Sequence, residues 1–325
     1  MAVSGAPSFT AGIDVGGTKV SSALFGPDGT MLARSKAPLD REGAGRAAGQ
    51  IARVLRDLEE TARDEGGRIL AAAVCVPGIV YQKSGLVWAP NVPGWVHYPL
   101  RDRLAGERPF PVLIESDRAA YVSGESWCGA ARGAEDVVFL AVGTGIGAGI
   151  MAGGRVIRGA EDIAGAVGWF ALNPDFKADY AEMGCFEAEA SGSAVGRRAR
   201  RLLEAGAVSD MTGLAGGRIE NVSAETVAAA ARAKDPLALS VISETASYLA
   251  MGIANIVSIL NPEMIVLGGG LFQAADLLLE PIRRDLKKWA QPLAAKGLRV
   301  ELSRLGEDAG LYGCGKLAWD SLKGD

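Results

Sequence analysis

The sequence contains few of the residues that build metal centres and disulfide frameworks. It has one histidine among 325 residues, and its four cysteines are Cys75, Cys128, Cys185 and Cys314. These cysteines are far apart and form no CxxC pair. Isolated cysteines favour reduced thiols in a cytoplasmic protein over a disulfide-stapled secreted one. The net charge is only -4, so it does not indicate a general attraction to nucleic acid.

Signals for secretion or membrane insertion are also sparse. Residues 1–10 are small and polar and have no basic stretch before an apolar core, so we expect no signal peptide. One long apolar run covers 237–260, but it includes Glu244 and several hydroxyl residues. Asp235 and Pro236 precede it, as is typical of an N-cap followed by the first helical position. We therefore predict a buried helix in a soluble core rather than a membrane span.

The chain is long enough for two domains, and its two halves repeat one order of elements. Each half begins with a strand, a glycine loop and a hairpin. Strands are predicted at 11–15, 20–25, 69–76, 112–114, 137–142, 264–267 and 298–302, and helices at 51–62, 237–260 and 309–322. This alternation predicts an α/β fold with a mainly parallel sheet. We place an N-terminal domain at 1–118, completed by the helix 309–325, and a C-terminal domain at 119–308.

Two glycine–threonine loops each follow a short apolar run. The first contains Asp14, Gly16, Gly17, Thr18 and Lys19, and the second contains Gly143, Thr144 and Gly145. Glycine lets the backbone approach a ligand closely, and the amides and hydroxyls can face phosphate oxygens. Neither loop is a GxxxxGK[ST] P-loop, and a strand rather than a helix follows the first. A tight turn explains either loop alone, whereas the matched pair favours a phosphate-bearing ligand.

Three further positions suit a phosphotransferase. Gly268, Gly269 and Gly270 follow a predicted strand, and their bare backbone suits a flat nucleoside, although a structural turn is an alternative. Asp117 follows the strand at 112–114, where sites of open α/β sheets gather, and can accept a proton from a hydroxyl. Spacing alone slightly favours an N-cap role for Asp117. Asp14 can hold a hydrated Mg²⁺.

These features together resemble the ROK family (repressors, open reading frames and kinases) of the sugar-kinase/actin/Hsp70 superfamily. The most specific segments are 14–19, 76–78 with 89–95, and 140–149, and segments 158–160, 261–270 and 306–313 also match. The resemblance covers nearly the whole chain. It implies a two-domain actin-like ATPase (ribonuclease H-like) fold with an interdomain cleft, and a homodimer.

The resemblance also implies roles for single residues. Both glycine loops would bind the phosphates of ATP, with Mg²⁺ held by Asp14 through water, and Gly268 to Gly270 would lie against adenosine. Asp117 would be the general base. ROK repressors carry a helix-turn-helix ahead of this core, and the first phosphate segment here begins at residue 12. We therefore expect an enzyme rather than a regulator.

The sequence departs from the family on the acceptor side. The usual Asn-Asp pair is Ser116-Asp117, and the usual Glu-x-Gly-His segment reads Ala166 to Trp169. The zinc pattern CxCGxxGC reads ADYAEMGC at 178–185, so only Cys185 remains of four possible ligands, and the lone histidine lies elsewhere. One thiolate cannot complete a tetrahedral site, so we expect no structural zinc. Trp169 and Phe170 are expected to fill the volume by apolar packing.

We expect ATP- and Mg²⁺-dependent phosphorylation of a small sugar or sugar-like hydroxyl compound by a cytoplasmic carbohydrate kinase. The acceptor contacts are expected at Gly78, Asn91, Ser116, Asp117, Trp169 and Glu187. The missing hydrogen-bond partners disfavour ordinary glucose and favour a modified sugar, polyol or cyclitol with an apolar edge against Trp169. Glu161 and Asp162 could supply a replacement acceptor, or form a solvated loop. No nucleic-acid or membrane partner is expected.

A protein of another class is the alternative. A catalytically weak ROK fold could bind nucleotide or sugar and act as a sensor or partner protein. The substituted acceptor residues favour this alternative, whereas the retained Asp117 and the intact loops favour the kinase. A dinucleotide oxidoreductase is disfavoured, because hairpins stand where the helices of βαβ units should follow the glycines.

Overall fold

The computed structural model describes residues 6–106 and 108–323. Packing contacts divide the chain into two units. Unit 1 comprises residues 1–135, 149–164 and 303–325, and unit 2 comprises 136–148 and 165–302. This division differs from the predicted boundary after residue 118. The difference arises because a helix that starts at Asp117 packs along the C-terminal helix within unit 1.

Unit 1 contains a five-stranded sheet and a separate hairpin. Its strands are β1 (Ser8–Val15), β2 (Lys19–Phe25), β3 (Met31–Pro38), β4 (Arg68–Val76), β5 (Ile79–Tyr81), β6 (Leu86–Trp88) and β7 (Val112–Ser116). The sheet order is β3-β2-β1-β4-β7, and β5 pairs with β6. The first three strands are antiparallel, whereas β1, β4 and β7 run parallel. The apolar run of β4 is almost entirely buried, as expected for a central parallel strand.

The helices of unit 1 cover this sheet. They are α1 (Ala44–Asp64), α2 (Leu100–Ala105), α3 (Asp117–Cys128) and, at the C-terminal end of the chain, α12 (Ala309–Ser321). In α1 the buried positions Ile51, Leu55, Leu58 and Ala62 recur at helical spacing, which is the pattern that predicted this helix.

The second sheet repeats the arrangement of a hairpin followed by parallel strands. Its strands are β8 (Val137–Val142), β9 (Ile146–Ala152), β10 (Arg155–Val156), β11 (Met264–Gly268) and β12 (Arg299–Leu302), in the order β10-β9-β8-β11-β12. Strands β8, β11 and β12 are parallel. The helices of unit 2 are α4 (Tyr180–Met183), α5 (Cys185–Ala190), α6 (Gly192–Glu204), α7 (Met211–Leu214), α8 (Ala224–Arg232), α9 (Pro236–Leu260), α10 (Ala275–Trp289) and α11 (Pro292–Gly297).

Helix α9 is the core helix of unit 2. Asp235 accepts a hydrogen bond from the amide of Ala238 at 2.8 Å, and Pro236 takes the first helical position, as predicted. Among residues 6–106 and 108–323, α9 is the one helix that length and composition would allow to cross a membrane. More than half of its most apolar window, 56%, is buried inside the protein, in agreement with the predicted core helix.

Helices α3 and α12 approach each other closely through glycine. A Cβ at Gly124 would overlap the carbonyl oxygen of Ala309, and a Cβ at Gly313 would overlap that of Ala120. Strand β1 makes a similar approach, since a Cβ at Gly12 would lie 2.8 Å from the carbonyl oxygen of Leu311. The start of α3, which carries Asp117, is therefore set by backbone-to-backbone packing that only glycine permits.

We expect Gly313→Ala to destabilise the protein by at least about 2 kcal/mol, because the added methyl group forces α3 and α12 apart. Gly213→Ala is the matched control, since Gly213 lies in α7 with no atom within 4 Å of its missing Cβ. The control should be neutral or slightly stabilising, because alanine favours helix. Urea unfolding measures both. Equal stability of Gly313→Ala and wild type would contradict the packing argument.

Candidate functional site

The first glycine loop joins β1 to β2. The amide of Gly16 donates to the carbonyl oxygen of Lys19 at 2.8 Å, and the side chain of Thr18 is exposed at the tip. The ammonium group of Lys19 lies 2.9 Å from Glu307. This ion pair is largely exposed, so it contributes little to stability and leaves Lys19 available to an anion.

Asp14 lies at the end of β1 and faces the first turn of α12. The thiol of Cys75 donates to its Oδ1 at 3.2 Å, and a Cβ at Gly310 would lie 2.9 Å from its Oδ2. Burial raises the pKa of Asp14, whereas the Cys75 thiol and the charge of Lys19 oppose that rise. A carboxylate at a helix N-terminus is otherwise favoured by the helix dipole.

The Asp14 carboxylate fits a hydrated Mg²⁺. Magnesium ions prefer oxygen ligands, and they are usually bound through one or two carboxylates together with waters and substrate phosphates. Among residues 6–106 and 108–323 there is no cluster of three or more metal-binding side chains. An ion at Asp14 would therefore depend on phosphate and water for most of its ligands.

Asp117 is the first residue of α3 and directly follows β7. Ser116 is the N-cap of this helix, and its hydroxyl accepts a hydrogen bond from the amide of Ala119 at 3.3 Å. The alternative that Asp117 is the N-cap is therefore wrong. The amide of Arg118 donates to Asp117 Oδ1 at 2.8 Å. Because Ser116 has the capping role, the Asp117 carboxylate is free for other chemistry.

The environment of Asp117 favours its neutral form. Burial raises the pKa of Asp117 to about 7, and the negative charge of Asp14 adds to this, while the Arg118 guanidinium and amide oppose it. Burial also lowers the pKa of Arg118, for which Asp117 is the compensating charge. A carboxyl group with a pKa near neutrality is suited to general base catalysis at physiological pH.

The other unit 1 residues expected at the acceptor have different surroundings. Asn91 is exposed, and its Cβ would lie 3.6 Å from a Cβ at Gly17 of the first loop. Gly78 has a structural reason to be glycine, since a Cβ there would overlap the carbonyl oxygen of Trp88. Asp162 accepts a hydrogen bond from the amide of Gln82 at 2.9 Å, whereas Glu161 is exposed.

The sequence reasoning did not select Glu115, which directly precedes Ser116. This buried carboxylate pairs with Arg158, whose Nη2 and Nε lie 2.5 and 3.2 Å from Oε1. The pair ties the segment after β10 to the end of β7, next to Asp117. A charged residue within an otherwise apolar strand is the signal that could have identified Glu115.

In unit 2, the second glycine loop is held from two sides. The amide of Gly192, the first residue of α6, donates to the carbonyl oxygen of Gly143 at 2.8 Å. The carboxylate of Glu187 accepts from the amide of Ile146 at 2.7 Å, and a Cβ at Gly145 would lie 2.6 Å from that carboxylate. Burial raises the pKa of Glu187, opposed by this hydrogen bond. Glu187 is thus in direct contact with the glycine loop.

A cavity of about 490 Å³ opens beside this loop in unit 2. Its lining includes Gly143, Thr144 and Gly270, which the sequence predicted, and also Gly192, Ser193, Gly196, Arg197, Arg200, Ser223, Ala224, Glu225 and Leu271. The size suits a small-molecule ligand. The N-terminus of α6 lies at the cavity and favours an anion there. The residues from α6 and α8 were missed, although Ser191 and the Ser223–Thr226 capping box mark both helix starts.

The three glycines at the end of β11 and directly after it, Gly268 to Gly270, have different surroundings. A Cβ at Gly268 would overlap the ring of Phe139, and Gly269 has φ +95°, which disfavours other residues. Only Gly270 lines the cavity, and a Cβ there would meet no atom within 4 Å. The run is therefore partly a structural turn and partly a cavity wall.

Trp169 does not pack into the interior as expected. It is 58% exposed, at the end of a 3-10 turn whose other residues, Val167 and Gly168, are buried. A Cβ at Gly168 would lie 2.8 Å from the carbonyl oxygen of Ile146, so this turn packs closely against the start of β9. Phe170 does pack as expected, stacking on Phe186 with ring centroids 6.4 Å apart.

The two sheets and their glycine loops define a two-domain α/β protein of the actin-like ATPase fold. The crystal structure of a ROK family glucokinase from Streptomyces griseus in complex with glucose and AMPPNP is similar, with a TM-score of 0.77 and 30% identity over 96% of this chain and 99% of that one. The ROK family model matches residues 10–321. The chain belongs to the ROK family.

Similar proteins of this family include enzymes and regulators. A glucokinase from Halalkalibacterium halodurans is 33% identical over 310 residues, which are 94% of this chain and 93% of that protein. A xylose repressor from Caldicellulosiruptor bescii is 31% identical over 271 residues, which are 82% of this chain and 67% of the repressor.

Proposed function

We propose that this ROK protein transfers the γ-phosphoryl group of ATP to a hydroxyl of a sugar or sugar-like compound, with Asp117 as the general base. It is an ATP-dependent carbohydrate kinase. The proposal rests above all on Asp117, which stands at the end of a parallel strand and leaves helix capping to Ser116. Its pKa is raised to about 7.

In the proposed reaction, the acceptor hydroxyl gives its proton to Asp117 as its oxygen attacks the γ-phosphorus. The new O–P bond forms while the bond from the γ-phosphorus to the bridging oxygen breaks, and ADP leaves. Asp14 would hold Mg²⁺ through water, and the ion would neutralise charge on the phosphates. Since phosphoryl transfer depends mainly on positioning and electrostatics, a base held rigidly at the start of a helix is sufficient for late proton removal.

The cavity in unit 2 is the proposed nucleotide site. Glycine-loop amides from Gly143 to Gly145 and the first turn of α6 would bind the phosphates. Gly270 and Leu271 would contact the nucleoside, because both line the same cavity. The Glu187 carboxylate holds this loop by accepting the hydrogen bond from the Ile146 amide. We also retain Glu187 as a proposed contact to the acceptor.

The acceptor is proposed to be a modified sugar, a polyol or a cyclitol. Ser116 uses its hydroxyl in the helix cap, so it is a poor substitute for an asparagine that would hydrogen-bond a sugar. Trp169 presents an exposed indole that could pack on an apolar edge of a ring. A panel of sugars and polyols, each incubated with MgATP, would identify the acceptor by the ADP formed.

A sensor that binds without turnover is the second candidate, favoured by the altered Ser116, Ala166 and Trp169. In that case the panel would yield ligand binding but no ADP above the background rate. A homodimer remains an expectation from the family, and sedimentation measures it directly.

We expect Asp117→Asn to lower turnover by about 100-fold or more, because the amide cannot accept the proton. AMPPNP affinity should stay within about twofold, since this change touches no residue of the unit 2 cavity. Asp57→Asn, which alters an exposed carboxylate on α1, is the control and should keep full activity. Normal turnover in Asp117→Asn would overturn the assignment of the base.

We expect Gly270→Val to fold normally and to weaken AMPPNP binding by at least about tenfold, because its side chain enters the cavity. Gly297→Val is the control, since Gly297 also has open space around its Cβ but lies at the end of α11, outside the cavity lining. Isothermal titration calorimetry measures both. Unchanged affinity in Gly270→Val would remove the nucleotide from this cavity.

A further inference from the structure

Glu189 is a buried carboxylate on α5 that accepts hydrogen bonds from three side chains of unit 2. The hydroxyl of Tyr180 and the ammonium group of Lys177 both donate to Oε1, the latter at 2.5 Å. The guanidinium of Arg198 on α6 donates to Oε2 and to the Glu189 carbonyl oxygen, each at 2.8 Å. We call Lys177, Tyr180, Glu189 and Arg198 the Glu189 network.

The charge state of Glu189 agrees with this arrangement. Burial alone would raise the pKa of Glu189, but the hydrogen bonds from Lys177, Tyr180 and Arg198 outweigh burial and hold the pKa below its ordinary value. A buried carboxylate with fewer partners would be costly, since each missing hydrogen bond leaves desolvated charge. The hydrogen bonds from Lys177, Tyr180 and Arg198 together therefore offset the burial of Glu189.

The network contacts a segment that has little regular secondary structure. Residues 171–184 form no strand and only the short helix α4, and residues 174–178 are exposed. Tyr180 is the buried anchor of this segment and also accepts a hydrogen bond from Asn173 at 3.1 Å. Leu172 and Tyr180 are the buried apolar contacts of the segment, and the polar contacts to Glu189 add to the order that they supply. The Arg201–Asp179 pair at 2.7 Å is largely exposed and contributes little.

The same segment is where the family pattern would place zinc, and the residues do not fit this metal. Cys185 is the one thiol there, and its buried sulfur accepts a hydrogen bond from the amide of Leu172 at 3.4 Å. In the part of the chain that the structure describes, no three metal-binding side chains come together. Another interaction must therefore hold the segment.

The network also reaches the proposed nucleotide site. Glu189 lies two residues after Glu187 on the six-residue helix α5. Glu187 in turn accepts the hydrogen bond from the Ile146 amide and abuts Gly145. A shift of so short a helix would move both carboxylates together, and with them the second glycine loop.

We propose that the Glu189 network replaces a metal as the clamp of residues 171–184, and that Glu189 thereby acts as a positioning residue for Glu187 and the second glycine loop. The part that concerns nucleotide affinity rests on the proposed function. The clamp itself does not, because it can be measured in the absence of any substrate.

The test compares Glu189→Gln with Glu244→Gln. Glu244 is the matched control because its carboxylate also contacts Arg198, at 3.3 Å, but is 52% exposed. Hydrogen–deuterium exchange followed by mass spectrometry reports on residues 171–184 and 143–147 separately. AMPPNP affinity is measured on the same samples.

We expect Glu189→Gln to speed exchange in both segments by at least about tenfold and to weaken AMPPNP binding by about threefold or more. Glu244→Gln should leave both readouts within about twofold of wild type. Wild type that has been stripped with a chelator should contain no stoichiometric zinc and keep its slow exchange. Faster exchange with unchanged AMPPNP affinity would retain the clamp and reject its coupling to the nucleotide site.

Tyr180→Phe is the second test variant, to be used if Glu189→Gln does not fold. It removes one hydroxyl and keeps the aromatic packing against Phe176, so it should fold and should speed exchange in residues 171–184. Wild-type exchange in Tyr180→Phe, or loss of protection on chelation of wild type, would overturn the proposal.

Discussion

The close contact between α3 and α12 is the constraint on which the positions of Asp117 and Asp14 depend. Gly124 and Gly313 allow the two helix backbones to touch, and Gly12 allows β1 to join them. This packing fixes the first residue of α3, Asp117, and sets the first turn of α12 against Asp14. Because both carboxylates are enclosed by the same contacts, burial raises the pKa of each. The packing that positions the two carboxylates therefore also raises their pKa values.

In unit 2 the glycine loop is positioned by contacts of a different kind. Its glycine loop is held by hydrogen bonds from α6 and α5 rather than by helix-to-helix glycine contacts. Glu187 and Glu189, on one short helix, connect the loop to residues 171–184. Polar networks of this kind are stable only when every buried group has its partner. Lys177 and Tyr180 of the segment, together with Arg198 of α6, supply those partners for Glu189.

Much of the fold could be predicted from the sequence because the signals are local. Only a few neighbouring residues are needed to recognise a strand that ends in a glycine loop, or the helix start at Asp235 and Pro236. The same holds for the spacing of the apolar residues in α1. The exposure of Trp169 and the cavity lining from α6 and α8 depend on distant packing, whereas the cap at Ser116 is a local contact that spacing alone assigned to Asp117. Arg200 and Glu225 show no periodicity or motif, so only the folded chain brings them to Gly143 and Gly270.

A direct titration of Asp117 tests the central claim, that packing gives this carboxyl group a pKa suited to a base at neutral pH. The infrared difference spectrum of wild type minus Asp117→Asn isolates its carboxyl band. Since the expected pKa of about 7 lies above the ordinary value, the band should be that of the protonated acid at about pH 5 and should disappear as pH rises through 7. A carboxylate band already complete at about pH 5 would contradict the account.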